Sequence, residues 1–308
     1  MIESVQDLRI FEKVVSLGSL SAAAKDMNLS LAVVSKRLQA MEKRMGVRLM
    51  QRTTRSQSLT PEGRTFYDRS VRILGEVQDT EALMAGSRDT VGGVLGITAP
   101  RSFGRLYLAS LVADFSARHP ALSVRLMLAD ESVDLVEAGI DLAFRFGVLP
   151  DSSLVARAVA PNHRVMCAAP AYLARHGMPQ ALEDLDTGRH ACIVCGNSVE
   201  SRWTVEVDGV PRAVKVRGSF VVNDGEAAQA LALSGAGIVW KSIWDVGLDI
   251  AAGRLVPVLP QYRMPGEALH LVMPTGRQQA PRVRLFADHA AERLRAAMPA
   301  GAEITRSP

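Results

Sequence analysis

Residues 18–39 read GSLSAAAKDMNLSLAVVSKRLQ, two short helices joined by a brief turn. Ser19 or Ser21 caps the first by accepting from its free N–H groups, and Asn28, which tolerates the left-handed conformation, ends it. The small side chains of Ala22, Ala23 and Ala24 let a neighbouring helix approach closely. Ser30 is a second N-cap, after which Val33, Val34 and Leu38 fall at helical spacing and Ser35, Lys36 and Arg37 point elsewhere. This is a helix-turn-helix, a motif whose second helix enters a DNA major groove.

On the N-terminal side, residues 5–17 carry Leu8, Phe11, Val14 and Val15 as an apolar stripe for these helices to pack on. On the C-terminal side, Met41, Met45 and Leu49 continue the packing, and Gly46 breaks the helix. The polar, basic run RTTRSQSLT at 52–60 predicts a two-stranded wing. Thr60-Pro61-Glu62-Gly63 then opens a helix expected over 61–87, about 40 Å at 1.5 Å per residue. Its seam of Phe66, Ser70, Ile73, Val77, Thr80 and Met84 either docks on its own chain or pairs with the same helix of a second copy; the helix's length between two domains favours the pair.

The chain has 308 residues, 48% of them hydrophobic, enough for two or three domains with cores of their own. It contains no run near the roughly 18 apolar residues of a membrane span, and MIESVQDLRIFEK lacks the order of a signal peptide, so a cytoplasmic protein is expected. Three cysteines, Cys167, Cys192 and Cys195, make no disulfide framework. The net charge of +4 is unevenly spread: residues 1–60 carry +5 and the remainder −1. Between 36 and 55, seven Lys and Arg face only Glu42. Alone such a run is a solvated helix face; on and after a helix-turn-helix it is the expected phosphate-contacting surface.

Residues 4–90 closely resemble the N-terminal part of the LysR-type transcriptional regulators, through GSLSAAAKDMNLS, SKRLQAMEKRMGVRL and QRTTRSQSLTPEG. Later segments extend the resemblance over almost the whole chain: FSARHPALSVRL, DLVEAGIDLAFRFG, APAYLARHGMP, SGAGI and AAGRLVPVLP. It implies a winged helix-turn-helix at 1–60, a dimerising linker helix at 61–90 and an effector-binding domain at 91–308 built as a two-lobed α/β fold like type 2 periplasmic binding proteins. Its lobes would be about 91–162 with 267–298, and about 163–266, joined by crossovers near 162 and 266, with a flexible tail at 299–308. The implied working unit is a homotetramer, a pair of dimers, on bent double-stranded DNA, answering to a small-molecule effector.

Read on its own, the C-terminal half alternates strand and helix: strands at 94–98, 123–128 and 141–146, with helices at 103–118 and 132–138. A second set includes a strand at 164–168, a helix at 171–176, a strand at 214–222, a helix at 225–234 and strands at 238–240 and 255–259. A last strand and helix are expected at 269–273 and 282–297. The alternation argues for mostly parallel sheets covered on both faces.

The expected DNA contacts are Ser30, Ala32, Ser35, Lys36 and Arg37, with Arg52 and Arg55 in the wing. Reading base edges needs short polar or basic side chains there, because a large apolar face keeps the helix out of the groove. By resemblance, Ser35-Lys36 matches a Ser-Arg pair, with Lys weakening any bidentate hold on guanine, and Leu31 stands where many relatives carry Gln. The expected effector contacts are Pro100, Arg101, Ser102 and Phe103 after the first strand, Phe144 and Arg145 on a later one, and Asp224. Arg145 ends an apolar strand and needs an anion, either an internal partner such as Asp141 or Asp134, or an effector. Two arginines near one cleft favour an anionic effector. Asp224 reads first as the N-cap of the helix after it, and Gly235-Ala236-Gly237 as a helix C-cap, since a phosphate cradle needs strand before helix.

Cys192-Ile193-Val194-Cys195 has redox spacing, but its apolar interior fits a strand that turns the two thiols to opposite sides. His289 and Glu292 share a helix face without a third ligand, and no nucleophile, base and orienting acid come together. No metal, cofactor or enzymatic activity is therefore expected. Two other classes remain: an enzyme or transport-type binding protein with a DNA-binding head, and a sequence-nonspecific architectural DNA protein.

Overall fold

The structure is a computed structural model, in which residues 4–52, 57–84, 91–147, 154–262, 268–277 and 280–299 are described. The N-terminal unit starts with three capped helices: α1 (Val5–Ser16), α2 (Leu20–Asp26) and α3 (Leu31–Met45). The hydroxyls of Ser4, Ser19 and Ser30 accept from Asp7 N, Ala22 N and Val33 N, and Asn28 takes the left-handed turn at φ 53°. Strands β1 (Met50–Arg52) and β2 (Gln57–Leu59) pair antiparallel as the wing, and α4 (Pro61–Met84) follows.

Ile10, Phe11, Val14, Ala23, Ala24, Val34, Leu38, Met41 and Leu49 form the core of this unit. Val33, expected to face inward beside Val34, is 39% exposed. Successive helical positions lie about 100° apart, so the core takes one of the pair. The start of α4 belongs to the same core, with Phe66 and Tyr67 packing their rings on Phe11 at 5.1 and 6.4 Å. Thr60 ties this junction: its Oγ1 donates to Arg48 O at 2.7 Å and accepts from Gly63 N at 2.9 Å. A Cβ at Gly63 would lie 1.8 Å from Leu49 O, so only glycine lets helix and wing meet this closely.

The seam of α4 divides. Phe66 and Ser70 face the protein's own core, while Ile73, Val77, Thr80 and Met84 line an open hollow with Glu76 and Glu81. Met84 is 81% exposed.

The next unit opens with β3 (Gly93–Ala99) and a helix in three parts: α5 (Arg101–Phe103), a π-helical turn (Gly104–Leu108) and α6 (Ala109–Arg118). Strands β4 (Leu122–Leu128), β5 (Leu142–Phe146) and β6 (Leu154–Ala160) follow, then β7 (Arg164–Ala168), α7 (Pro170–His176), α8 (Glu183–Asp186) and β8 (Cys192–Cys195). Next come a long hairpin of β9 (Glu200–Val207) and β10 (Val210–Val222), then α9 (Gly225–Leu233), β11 (Ile238–Ser242), α10 (Ile243–Ala251) and β12 (Val256–Pro257). The chain closes with β13 (Leu269–Pro274) and α11 (Pro281–Ala296).

The strands make two sheets, ordered β4-β3-β5-β13-β6 and β12-β7-β11-β8-β10-β9. The domain is thus two-lobed, and its last strand returns to the first sheet between β5 and β6. The sheets are mixed rather than mostly parallel: β3 with β5, and β8 with β10 and β11, run parallel. In contrast β13 is antiparallel to β5 and β6, and β7 to β11 and β12, with β9–β10 an antiparallel hairpin. Alternation of element types leaves strand direction open, and the return and the hairpin set it here.

Residues 132–138, expected as a helix, form a single turn. Asp134 Oδ1 accepts from Val136 N and Glu137 N, and the segment ends at Gly139 with φ 64°. Of the tail expected at 299–308, all beyond Pro299 lies outside the described residues, as does the crossover expected near 266.

Candidate DNA-binding surface and effector cleft

The first turns of α3 form the candidate DNA surface. Ala32 and Lys36 are exposed and Ser35 is half-buried, while Ser30 uses an oxygen lone pair as the cap and keeps its proton to donate. Leu31 is 48% exposed beside them.

Arg37 is held differently. Its Nη1 lies 3.0 Å from Asp7 Oδ1, and Arg44 Nη2 lies 3.0 Å from Oδ2 of the same carboxylate. Asp7, on α1, is 3% exposed, so one buried acid ties two basic positions of α3 to the helix beneath. Sequence reasoning missed it; the available signal was an acid in the first turn of a helix facing a basic run. Glu42, the lone acid of that run, accepts from Leu49 N at 2.8 Å and Met50 N at 3.2 Å, joining α3 to the wing. Arg52 stands in β1, while its side chain and the whole of Arg55 lie outside the described residues.

On the sensing side, Pro100 precedes α5 without a side-chain cap of its own, and Asp130 supplies one, its Oδ1 accepting from Arg101 N at 3.0 Å. Ser102 is buried. Phe103 is fully buried, its ring 5.7 Å from Phe144, 5.6 Å from Phe146, 5.4 Å from Tyr107 and 5.7 Å from Trp244. Because Trp244 lies in the first turn of α10, this aromatic cluster joins the two lobes. Burial, with Asp245 adding to it, pushes the Tyr107 phenol up to about 12.

Arg105 and Glu226 form an ion pair between the same two lobes. Asp224 caps α9, accepting from Glu226 N at 3.0 Å and Ala227 N at 2.8 Å. Its carboxyl is held below the usual aspartate value chiefly by the Ala227 N–H, with the Glu226 N–H, Arg101 and Lys241 acting the same way. Arg101 thus lies near enough to act on the Asp224 charge without forming an ion pair with it. The crossover segment is anchored to α10 by Trp244 Nε1 on Pro161 O (3.0 Å), Ser242 Oγ on Asn162 Oδ1 (2.7 Å) and Ile243 N on His163 O (2.9 Å).

Arg145 stands apart from Phe144, since successive strand residues face opposite sides. Its Nη1 reaches Ala129 O at 3.4 Å, and its Nη2 is buried with no partner among the described residues. Burial lowers its pKa, opposed by Asp130. Neither expected internal partner takes it: Asp141 binds Arg277 Nη1 at 3.1 Å and Gly96 N at 2.8 Å, and Asp134 caps its own turn.

The expected effector residues therefore fall into three places: Phe103 with Phe144 in the aromatic cluster, Arg101 opposite Asp224, and Arg145 on the other face of β5. Asp130, Tyr107, Glu226 and Trp244 join them without having been singled out in the sequence. Cys192 is buried and Cys195 exposed, and burial pushes the thiols of Cys167 and Cys192 up to about 12.

Residues 5–64 match the family described as "Bacterial regulatory helix-turn-helix protein, lysR family", and residues 88–295 match "LysR substrate binding domain". Among relatives, the HTH-type transcriptional regulator DmlR of Escherichia coli (strain K12) is 36% identical over 261 residues, 85% of each chain. The regulator CrgA of Neisseria meningitidis serogroup B is 34% identical over 256 residues, covering 83% of this chain and 85% of that protein. The solved structure of CrgA, a LysR-type transcriptional regulator from Neisseria meningitidis, matches 96% of this chain and 99% of its own with a TM-score of 0.61 at 33% identity. The full-length Vibrio cholerae virulence activator AphB, at 24% identity and a TM-score of 0.58, shares the fold over 94% of this chain and 99% of its own. With a helix-turn-helix at one end, a two-lobed α/β domain at the other, and both ends matched, this chain belongs to the LysR family of DNA-binding transcriptional regulators.

Proposed function

We propose that Ser30, Ala32, Ser35, Lys36 and Arg37, with Arg52 and Arg55 of the wing, contact operator DNA, and that an anionic small molecule in the cleft shifts that binding. For DNA, the support is the open first turn of α3, where small side chains and Lys36 stand exposed. Leu31, exposed on the same turn, offers a thymine methyl an apolar contact in place of a base-reading amide. Arg37 contributes from its fixed position over Asp7. For the effector, the carrying observation is the buried Nη2 of Arg145, without a partner among the described residues and set near Pro100, Arg101 and Ser102 by way of Ala129 and Asp130. Phe103, Phe144 and Asp224 act from behind, through the lobe contacts they make. An effector alters DNA binding only by preferring one arrangement of the oligomer.

The open half of the α4 seam, Ile73, Val77, Thr80 and Met84, supports dimerisation through residues 61–90, and two dimers make the tetramer. The divisions 1–60, 61–90 and 91–308 belong to the same reading, as does a cytoplasmic regulator without catalysis of its own. No helix among the described residues is long and apolar enough to cross a membrane.

The test is operator binding by the full chain over a range of salt concentrations. Lys36→Ala lowers the slope of log K against log salt by about 0.9, the value of one phosphate contact. An unchanged slope contradicts the role given to Lys36.

A further inference from the structure

Three side chains on one face of the first sheet keep buried polar atoms without a partner among the described residues: Thr98 Oγ1, Arg145 Nη2 and His270 Nδ1. The register brings them together. His270 of β13 is the cross-strand partner of Arg145 on β5, and Thr98 of β3 is the partner of Ala143, two residues before Arg145 on the same face. Directly opposed residues have Cβ atoms about 5 Å apart, and a two-residue step along a strand is about 6.5 Å, within reach of an arginine. The other face carries Phe144 and its partner Leu271, both fully buried. Buried polar groups are ordinarily hydrogen-bonded, and three unbonded ones on one sheet face, with Arg145 on the strand between the other two, call for a partner.

We propose that Arg145, His270 and Thr98 form a three-strand seat for a carboxylate in the first lobe, with the returning strand β13 supplying its second arm. The inference rests on the reading of Arg145 as effector-facing. All three groups can donate: the guanidinium always, the imidazole in the tautomer with its proton on Nδ1, and the threonine hydroxyl. A carboxylate accepts from all three and compensates the arginine charge, which a neutral ligand leaves uncompensated. The nearby acids are already engaged, Asp130 on Arg101 N and Asp141 on Arg277 and Gly96 N. On the edge strand β6, His270 stands opposite Ala158, whose small exposed side chain leaves that flank open.

Thermal-shift titrations of the full chain with acetate, benzoate, succinate and citrate, against sodium chloride at matched ionic strength, test the seat. At least one carboxylate stabilises the protein. Arg145→Ala abolishes that stabilisation, while His270→Ala and Thr98→Val each weaken binding of the same carboxylate about tenfold. His270→Gln, which keeps a donor, loses less. Melting in chloride alone shows that each variant folds, and Thr98→Val, nearly isosteric, serves if the others do not. Stabilisation by none of the four carboxylates overturns the anionic reading itself. Loss with Arg145→Ala but unchanged affinity in both His270→Ala and Thr98→Val overturns the seat and leaves the anionic reading standing.

Discussion

Replacing Asp7 by alanine removes the carboxylate that anchors α3 to α1, and the structure sets the size of the effect. Two guanidinium contacts at 3.0 Å end on an acid that is 3% exposed, while the Arg37 and Arg44 side chains remain 45% and 25% exposed. Breaking a fully buried pair costs about 3–5 kcal/mol, because it strands a charge away from water. Here both arginines can turn toward solvent, which lowers the expected loss to about 2–3 kcal/mol. At about 1.4 kcal/mol per decade, amides of α1 and α3 should exchange with solvent roughly 30- to 150-fold faster in hydrogen-exchange mass spectrometry of the full chain. Asp26→Ala is the control: it breaks the Lys13–Asp26 contact at 3.2 Å, both of whose side chains are over 40% exposed, and such surface pairs contribute about 0–1 kcal/mol. Adding Arg37→Ala to Asp7→Ala should cost little more than Asp7→Ala alone. Exchange in Asp7→Ala no faster than in Asp26→Ala would refute the anchoring role.

Gly63→Ala places a Cβ 1.8 Å from Leu49 O and should leave the DNA-binding end unfolded, seen as lost operator binding with the carboxylate-dependent melting of the sensing domain retained. His289 is held below its ordinary pKa of 6.5 by burial and by Arg118 and Arg293, so the unfolded chain takes up the proton first. Its contribution to stability is complete above pH about 6.5 and is lost as the pH falls from there toward the folded value; His289→Gln should flatten the decline in melting temperature over that window. His190, shifted the same way by burial, leaves a residual slope in that variant. An aromatic disulfide reagent should label Cys195 promptly in the native protein and reach Cys167 and Cys192 only on unfolding; rapid labelling of all three thiols contradicts their burial.

The DNA-binding end was legible because its signals are local. Ser19, Asn28, Ser30 and Thr60 announce caps and turns through their own backbone chemistry, and each is found doing so. What escaped was set by distance in the chain: Asp7 meets Arg37 and Arg44 only once α1 lies under α3. In the sensing domain, element positions followed from apolar runs, but strand direction did not. The segment 132–138 reads as a helix because Val133, Leu135 and Val136 are apolar and Asp134 caps a helical turn, but Gly139, at φ 64° with Ile140 N on Leu135 O at 2.8 Å, stops it after one turn. Arg145 could be singled out as a cation beside a buried strand. That its neighbour is His270 depended on the register of a strand 125 positions later, which periodicity does not carry.

The placement of β13 also sets the order in which the protein can be completed during synthesis. Between Ala160 and Leu269 the ribosome makes all of the second sheet, so the second lobe can close while β5 and β6 each still present an unpaired edge. The DNA-binding head is finished long before either. A chain halted upstream of Leu269 would carry a competent head on a sensor whose first sheet is split down its middle, a species able to occupy DNA yet deaf to its effector and prone to edge-to-edge association. The proposed carboxylate seat is thus complete only once β13 has taken its place between β5 and β6.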